Sequence, residues 1–167
     1  MSEKTGYRVG DSVFYPGAGV GRIENTEDIY LTGRHESCFV IRILESRAVI
    51  KVPQANMAKN GARRLLDGRK LKDLYGVLAA GTRQRIASNW TEHCKGLERI
   101  ITTGSCLELG ATVRDLMRRK HSGGLSFEEA KLLMMATNHL AREVSVSQGI
   151  PQDVAHERIR RHIGVNL

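Results

Sequence analysis

Up to about residue 53 apolar residues alternate with polar ones; beyond it they return every third or fourth position. The two periods predict a β part followed by an α part. Val9-Gly10-Asp11-Ser12-Val13-Phe14-Tyr15-Pro16 reads as a short strand closed by the Pro16-Gly17 turn. Gly19-Val20-Gly21-Arg22-Ile23-Glu24 alternates as a half-buried strand should. Ser37–Leu44 and Ala48–Pro53 are β-branched runs joined by Glu45-Ser46-Arg47, a spacing that suits an antiparallel hairpin, with Pro53 ending its second strand. Strands this short predict a small curled sheet or barrel, marginal by itself.

After Pro53 the pattern is helical. Leu71, Leu74, Tyr75, Leu78 and Ala79 recur between the breaks at Gly68 and Gly81. A helix capped by Asn89 or Thr91 runs to about Thr103 with Leu97, Ile100 and Ile101 inward, and Gly104 ends it. A third covers Leu107 to Lys120. Ser126-Phe127-Glu128-Glu129 has the form of a capping box, opening a helix that carries Leu133, Leu140 and Val144 on one side. Pro151 opens a last helix through Ile159 and Ile163. The expected class is α+β: a small antiparallel β domain over residues 1–60, then a compact all-α domain over residues 61–167.

Charge sharpens the division. Residues 1–60 carry eight Lys/Arg against seven Asp/Glu, and residues 61–167 carry eighteen against eleven, so the net +8 lies almost entirely in the helical part. That part suits a polyanion, nucleic acid rather than membrane, because no Trp/Phe-rich basic helix is present. The near-neutral β part suits a protein partner.

Several classes are argued against. No apolar run approaches the ~20 residues that span a bilayer. Met1-Ser2-Glu3-Lys4-Thr5-Gly6 lacks the apolar stretch of a secretory signal, which points to the cytoplasm. Cys38, Cys94 and Cys106 form no CxxC pair, so neither a disulfide framework nor a zinc knuckle is expected, and no metal or cofactor is. Gly17-Ala18-Gly19-Val20-Gly21 runs into a strand rather than a helix, so its glycines are turn glycines and not a phosphate loop. The six histidines form no HExxH and no nucleophile elbow is present; an enzyme is not expected.

The candidate chemistry is basic. Arg83 with Arg85, Lys95 with Arg99, and Arg114, Arg118 and Arg119 with Lys120 make three groups; Lys95 shares a helix face with Arg99, and Arg114 with Arg118. Such rows track phosphates, or else form solvated faces with internal pairs such as Asp115 with Arg118. Trp90 is the only tryptophan. By size a lone Trp more often belongs in a core; at the start of a helix beside arginines, a partly exposed ring could instead stack on a base or wedge into a minor groove.

Val9–Pro16, Gly19-Val20-Gly21 and Val49-Ile50-Lys51-Val52-Pro53 resemble the polymerase-interacting module of the CarD/CdnL/TRCF family. Asn89-Trp90, Val113-Arg114-Asp115-Leu116-Met117-Arg118-Arg119 and Gly124-Leu125-Ser126-x-x-Glu129 resemble the helical domain of its CarD/CdnL branch. The resemblance runs in order from about residue 7 to 163. It implies a Tudor-like β domain that docks on the β subunit of RNA polymerase, with Ile29, Arg42, Arg47 and Lys51 on the polymerase side. It also implies a helical domain on promoter DNA at the upstream fork of the transcription bubble, with Trp90 lodged in the minor groove. Ile29 and Lys51 stand where some members have Arg, and Glu92-His93 stands where some have a basic pair. Lys lacks the bidentate fork of Arg.

The expectation is a monomeric, nucleoid-associated transcription regulator. It would stabilise the open complex with little base specificity, through Trp90, Arg83, Arg85, Lys95, Arg99, Arg114 and Arg118. Two rivals remain: an interaction scaffold that does not touch DNA, and a nucleoid or RNA-binding protein that ignores polymerase.

Overall fold

The computed structural model describes residues 6–81, 90–103 and 105–165, the side chains of Trp90 and Thr91 excepted. Its chain divides into two compact units, Met1–Leu65 and Leu66–Leu167. The first unit runs past the Asn60-Gly61 break because Arg63 and Arg64 still pair with the first strand.

The first unit is an antiparallel sheet of β1 (Ser12–Tyr15), β2 (Gly19–Leu31), β3 (Arg34–Ile43), β4 (Val49–Pro53) and β5 (Arg63–Arg64), in the order β4-β3-β2-β1-β5. Val13, Ile23, Phe39, Ile41, Ile43 and Val52 point to one face and close over Met57. The expected β3–β4 hairpin is present, turning through Arg47 at φ 60°.

Strand β2 is longer than its alternation indicates. Ile23 pairs with Ile41 and Asn25 with Val40, so Glu24 is an extra residue on β2, a β-bulge. The bulge reverses the parity of the rest of the strand. Ile29 would share the core face with Ile23 in a regular strand; instead it pairs with Glu36 and lies on the outer face. The hairpin then turns at Thr32-Gly33, whose φ values of 47° and 84° are those of a two-residue type I′ turn. Asp28–Leu31 and Arg34–Ser37 pair only with each other, as a two-stranded arm.

The second unit packs α1 (Gly68–Ala79), α2 (Trp90–Thr103), α3 (Cys106–Ser122), α4 (Phe127–Gln148) and α5 (Gln152–Ile163). Asp67 and Ser105 cap α1 and α3, and Ser126 with Glu129 forms the expected capping box on α4. Thr91 lies inside α2, and Asn89, the other candidate cap, lies outside the described residues. Helix α4 is central, touching α2, α3 and α5, while α1 packs on α3 and α5. Leu74, Leu78, Val113, Leu140, Val144 and Ile159 are fully buried between them. Helices α1 and α3 meet at Gly110, where a Cβ would lie 2.5 Å from Leu74 Cδ1. The start of the unit is fastened to α4: Leu66 N–H donates to Glu143 Oε1 at 3.1 Å and Ser147 Oγ donates to Leu66 O at 2.6 Å.

Candidate functional site

On the first unit, cross-strand partners place Ile29, Arg42 and Lys51 on the outer face of the sheet, with Arg47 in the turn at its end. The bulge is what brings Ile29 there. Lys51 Nζ meets Glu27 at 2.8 Å and Arg42 Nε meets Glu24, the bulged residue, at 2.6 Å. Arg42 also donates to Arg47 O at 3.5 Å. Pairs this exposed contribute about 0–1 kcal/mol each, so they fix side-chain direction more than stability. Val49, 45% exposed, lies beside Arg42 on the same face. The outer face thus carries paired charges near Val49, with Ile29 farther along on the two-stranded arm.

The candidate basic residues of the helical unit differ in where they lie. Lys95 and Arg99 are exposed one turn apart on α2, and among the described residues neither has an ion-pair partner. Arg83 and Arg85 lie outside the described residues, as does the side chain of Trp90. Arg114 and Arg118 are turned toward the rest of the helical unit. Arg114 is 4% exposed; its Nη1 donates to Val77 O at 2.8 Å and its Nε to Asp115 at 2.7 Å. Arg118 donates to Ala80 O at 2.6 Å, Leu78 O at 3.3 Å and Ile163 O at 3.2 Å. Their shared face looks at the end of α1, a helix with no basic residue in its last turn. The two guanidinium groups thus donate to carbonyls at the end of α1, and Arg118 to one at the end of α5 as well, so both are engaged within the unit.

A polar cluster that sequence reasoning missed joins three helices. Glu129 is 1% exposed, yet its carboxylate receives Arg119 Nη1 at 2.7 Å, His93 Nε2 at 3.1 Å and the Ser126 backbone N–H at 3.1 Å. The capping box marks Glu129 in the sequence, but nothing local marks its two distant donors.

Cys38 and Cys94 are poor thiolates. Burial first, then Glu36, Asp28 and Glu27, pushes the Cys38 thiol above its usual pKa; desolvation, then Glu128, Glu129 and Glu98, raises Cys94. Among the described residues no three His, Cys, Asp or Glu gather as a metal site, and no helix is long and apolar enough to cross a membrane.

Residues 7–66 match the model of the CarD-like/TRCF RID domain, and residues 73–160 that of the CarD C-terminal domain. The chain is 30% identical over 146 residues to the "Putative transcription factor YdeB" of Bacillus subtilis (strain 168), covering 87% of this chain and 95% of that protein.

Proposed function

This chain belongs to the CarD/CdnL family, which gives it a role in transcription, and from that premise we propose a division of labour between its units. The outer face of the sheet docks on the β subunit of RNA polymerase through Ile29, Arg42, Arg47 and Lys51. The helical unit meets promoter DNA at the upstream fork of the bubble through Trp90, with Arg83, Arg85, Lys95 and Arg99 on phosphates. The protein is a cytoplasmic, non-catalytic monomer in this reading.

The observation that supports the reading is that Arg42 and Lys51 share the outer face of the sheet with Ile29, which the Glu24 bulge turns to that side, while Arg47 lies in the turn at its end. The physical logic is differential binding. A factor that holds the melted complex better than the closed one shifts the equilibrium by that difference in affinity and no more. Tethering by the first unit raises the local concentration of a weak DNA module, so few sequence-independent contacts suffice.

The test is promoter opening by purified bacterial RNA polymerase, followed by a fluorescent base in the bubble. Wild-type protein is expected to prolong the open state roughly fivefold or more, the scale of a ~1 kcal/mol coupling. Trp90→Ala is expected to bind polymerase as well as wild type and lose most of that gain. The inward turn of Arg114 and Arg118 is one observation on the side of a scaffold that leaves DNA untouched. That rival predicts equal lifetimes with and without the protein.

A further inference from the structure

Helices α3 and α5 both pack on α4, and the three together line a cavity of about 490 Å³. Its apolar wall comes from Met117 on α3, Leu133 and Met134 on α4, and Val165 beyond the end of α5. Leu133 belongs to the buried core, whereas Met134 is 61% exposed, a large apolar side chain left at the surface. Lys120 and His121 line the cavity from the last turn of α3, and His156 and Arg160 from α5. Among the described residues no Asp or Glu lines it, and neither Lys120 nor Arg160 has an ion-pair partner. Burial first, then the neighbouring Arg160, lowers the His156 pKa, against a smaller opposing pull from Asp153. That ring is therefore neutral at neutral pH, and Lys120 and Arg160 supply the standing charge of the cavity.

A mostly apolar space with a few polar groups at its edge, within about 300–1,000 Å³, is what small ligands occupy. Both cations also stand near helix C-termini, but such an end carries only roughly half a negative charge, which each of them exceeds. The surplus is positive and adjoins an apolar wall without a carboxylate. Nucleic acid would use the charges and leave the methionine and leucine side chains idle; an uncharged apolar molecule would do the reverse. We propose that the cavity binds a small amphipathic carboxylate, with its hydrocarbon on Met117, Leu133 and Met134 and its head group at Lys120 and Arg160. Unbranched thioether side chains adapt to ligands of varied outline, so the two methionines suit a flexible hydrocarbon. Binding here needs neither polymerase nor DNA, and it stabilises the helical unit because only the folded chain offers the wall.

The methionine methyl groups report on the site, since Met117 and Met134 line it while Met57 lies in the core of the first unit. In the full chain with isotope-labelled methionine methyl groups, decanoate is expected to shift the Met117 and Met134 signals saturably. The concentration needed is in roughly the millimolar range, and Met57 stays in place. Decylammonium, the same chain with the opposite charge, is expected to bind about tenfold more weakly or not at all. Lys120→Gln and Arg160→Gln have no ion pair to lose, so both should fold normally and each weaken decanoate by about three- to tenfold. Ala130→Phe, an exposed position that lines the cavity, should fill it and abolish the shifts. If decanoate moves neither signal, or if Met57 follows them, or if decylammonium acts equally well, there is no anion site and the proposal fails. If short duplex DNA moves Met117 and Met134 where decanoate does not, the surface belongs to nucleic acid. If both signals change with protein concentration alone and decanoate leaves them unmoved, a second copy of the chain covers it. Either result overturns the assignment.

Discussion

Alanine at Arg114 or Arg118 is expected to unfold the helical unit at a lower temperature while leaving the salt dependence of DNA binding as it was. Arg114 is 4% exposed and satisfies Val77 O and Asp115 from inside the bundle. Its removal leaves Val77 O with only the Ala80 N–H, leaves the half-buried Asp115 carboxylate without this donor and opens a void, a loss of about 2–3 kcal/mol. For a unit of this size that is a fall in Tm on the order of 10 °C. Arg118 is less buried, but one guanidinium serves three carbonyls, from Leu78, Ala80 and Ile163. Lysine at 118 cannot reproduce that fork and should recover little. Lys95→Ala and Arg99→Ala are the reverse case: exposed, they should change stability by no more than about 0.5 kcal/mol. Each that touches a phosphate should lower the slope of log affinity against log salt by about 0.9. Thermal unfolding and a salt titration on the same four variants separate the groups. An Arg114→Ala protein with unchanged Tm and a reduced slope would mean that this row of α3 faces nucleic acid after all.

Those two arginines mark where sequence reasoning reaches its limit. The i, i+4 spacing of Arg114 and Arg118 correctly gives a shared face, since helical geometry is local. Which way the face looks depends on α1 packing across α3, made possible by Gly110 against Leu74, a contact between distant residues. The change of period near Pro53, the capping box at Ser126 and the helix after Pro151 are legible because their causes lie within a few residues. The second half of β2 is not. Its Glu24 bulge shifts parity, so the alternation of Ile23, Ile29 and Leu31 belongs to two faces in turn, and a period-2 reading stops at the bulge. The same holds for β5, two residues long and recognisable as a strand only by its pairing with Val13 and Phe14. The outer-face placement of Ile29 is therefore reached through family resemblance, whereas the bulge supplies its physical reason.

The first unit should be the more fragile of the two, and Gly21→Ala should expose this most sharply. Gly21 lies opposite Val13 and Ile43 on the core face. A Cβ there would stand 2.7 Å from Ile41 Cγ2 and 3.1 Å from both Ile43 Cδ1 and Arg42 O. Elsewhere in a strand alanine would be favoured over glycine by roughly 0.5–1 kcal/mol. Here two buried isoleucines and a backbone oxygen close the space, and the carbonyl cannot rotate away as a side-chain tip can. Overpacking of this kind costs about 1–3 kcal/mol, a large fraction of what so small a core can supply. The expected result is loss of polymerase binding with the helical signal in circular dichroism retained. Hydrogen exchange should speed up across β1 to β4 while α3 and α4 stay protected. Ile41→Leu, which moves the branch away from Cβ, should return part of the loss in the double variant although it destabilises alone. That positive coupling is the signature of a direct clash. If Gly21→Ala leaves exchange in the sheet unchanged, β2 and β3 have room to separate and the close approach of the two strands at this point is not required for the fold.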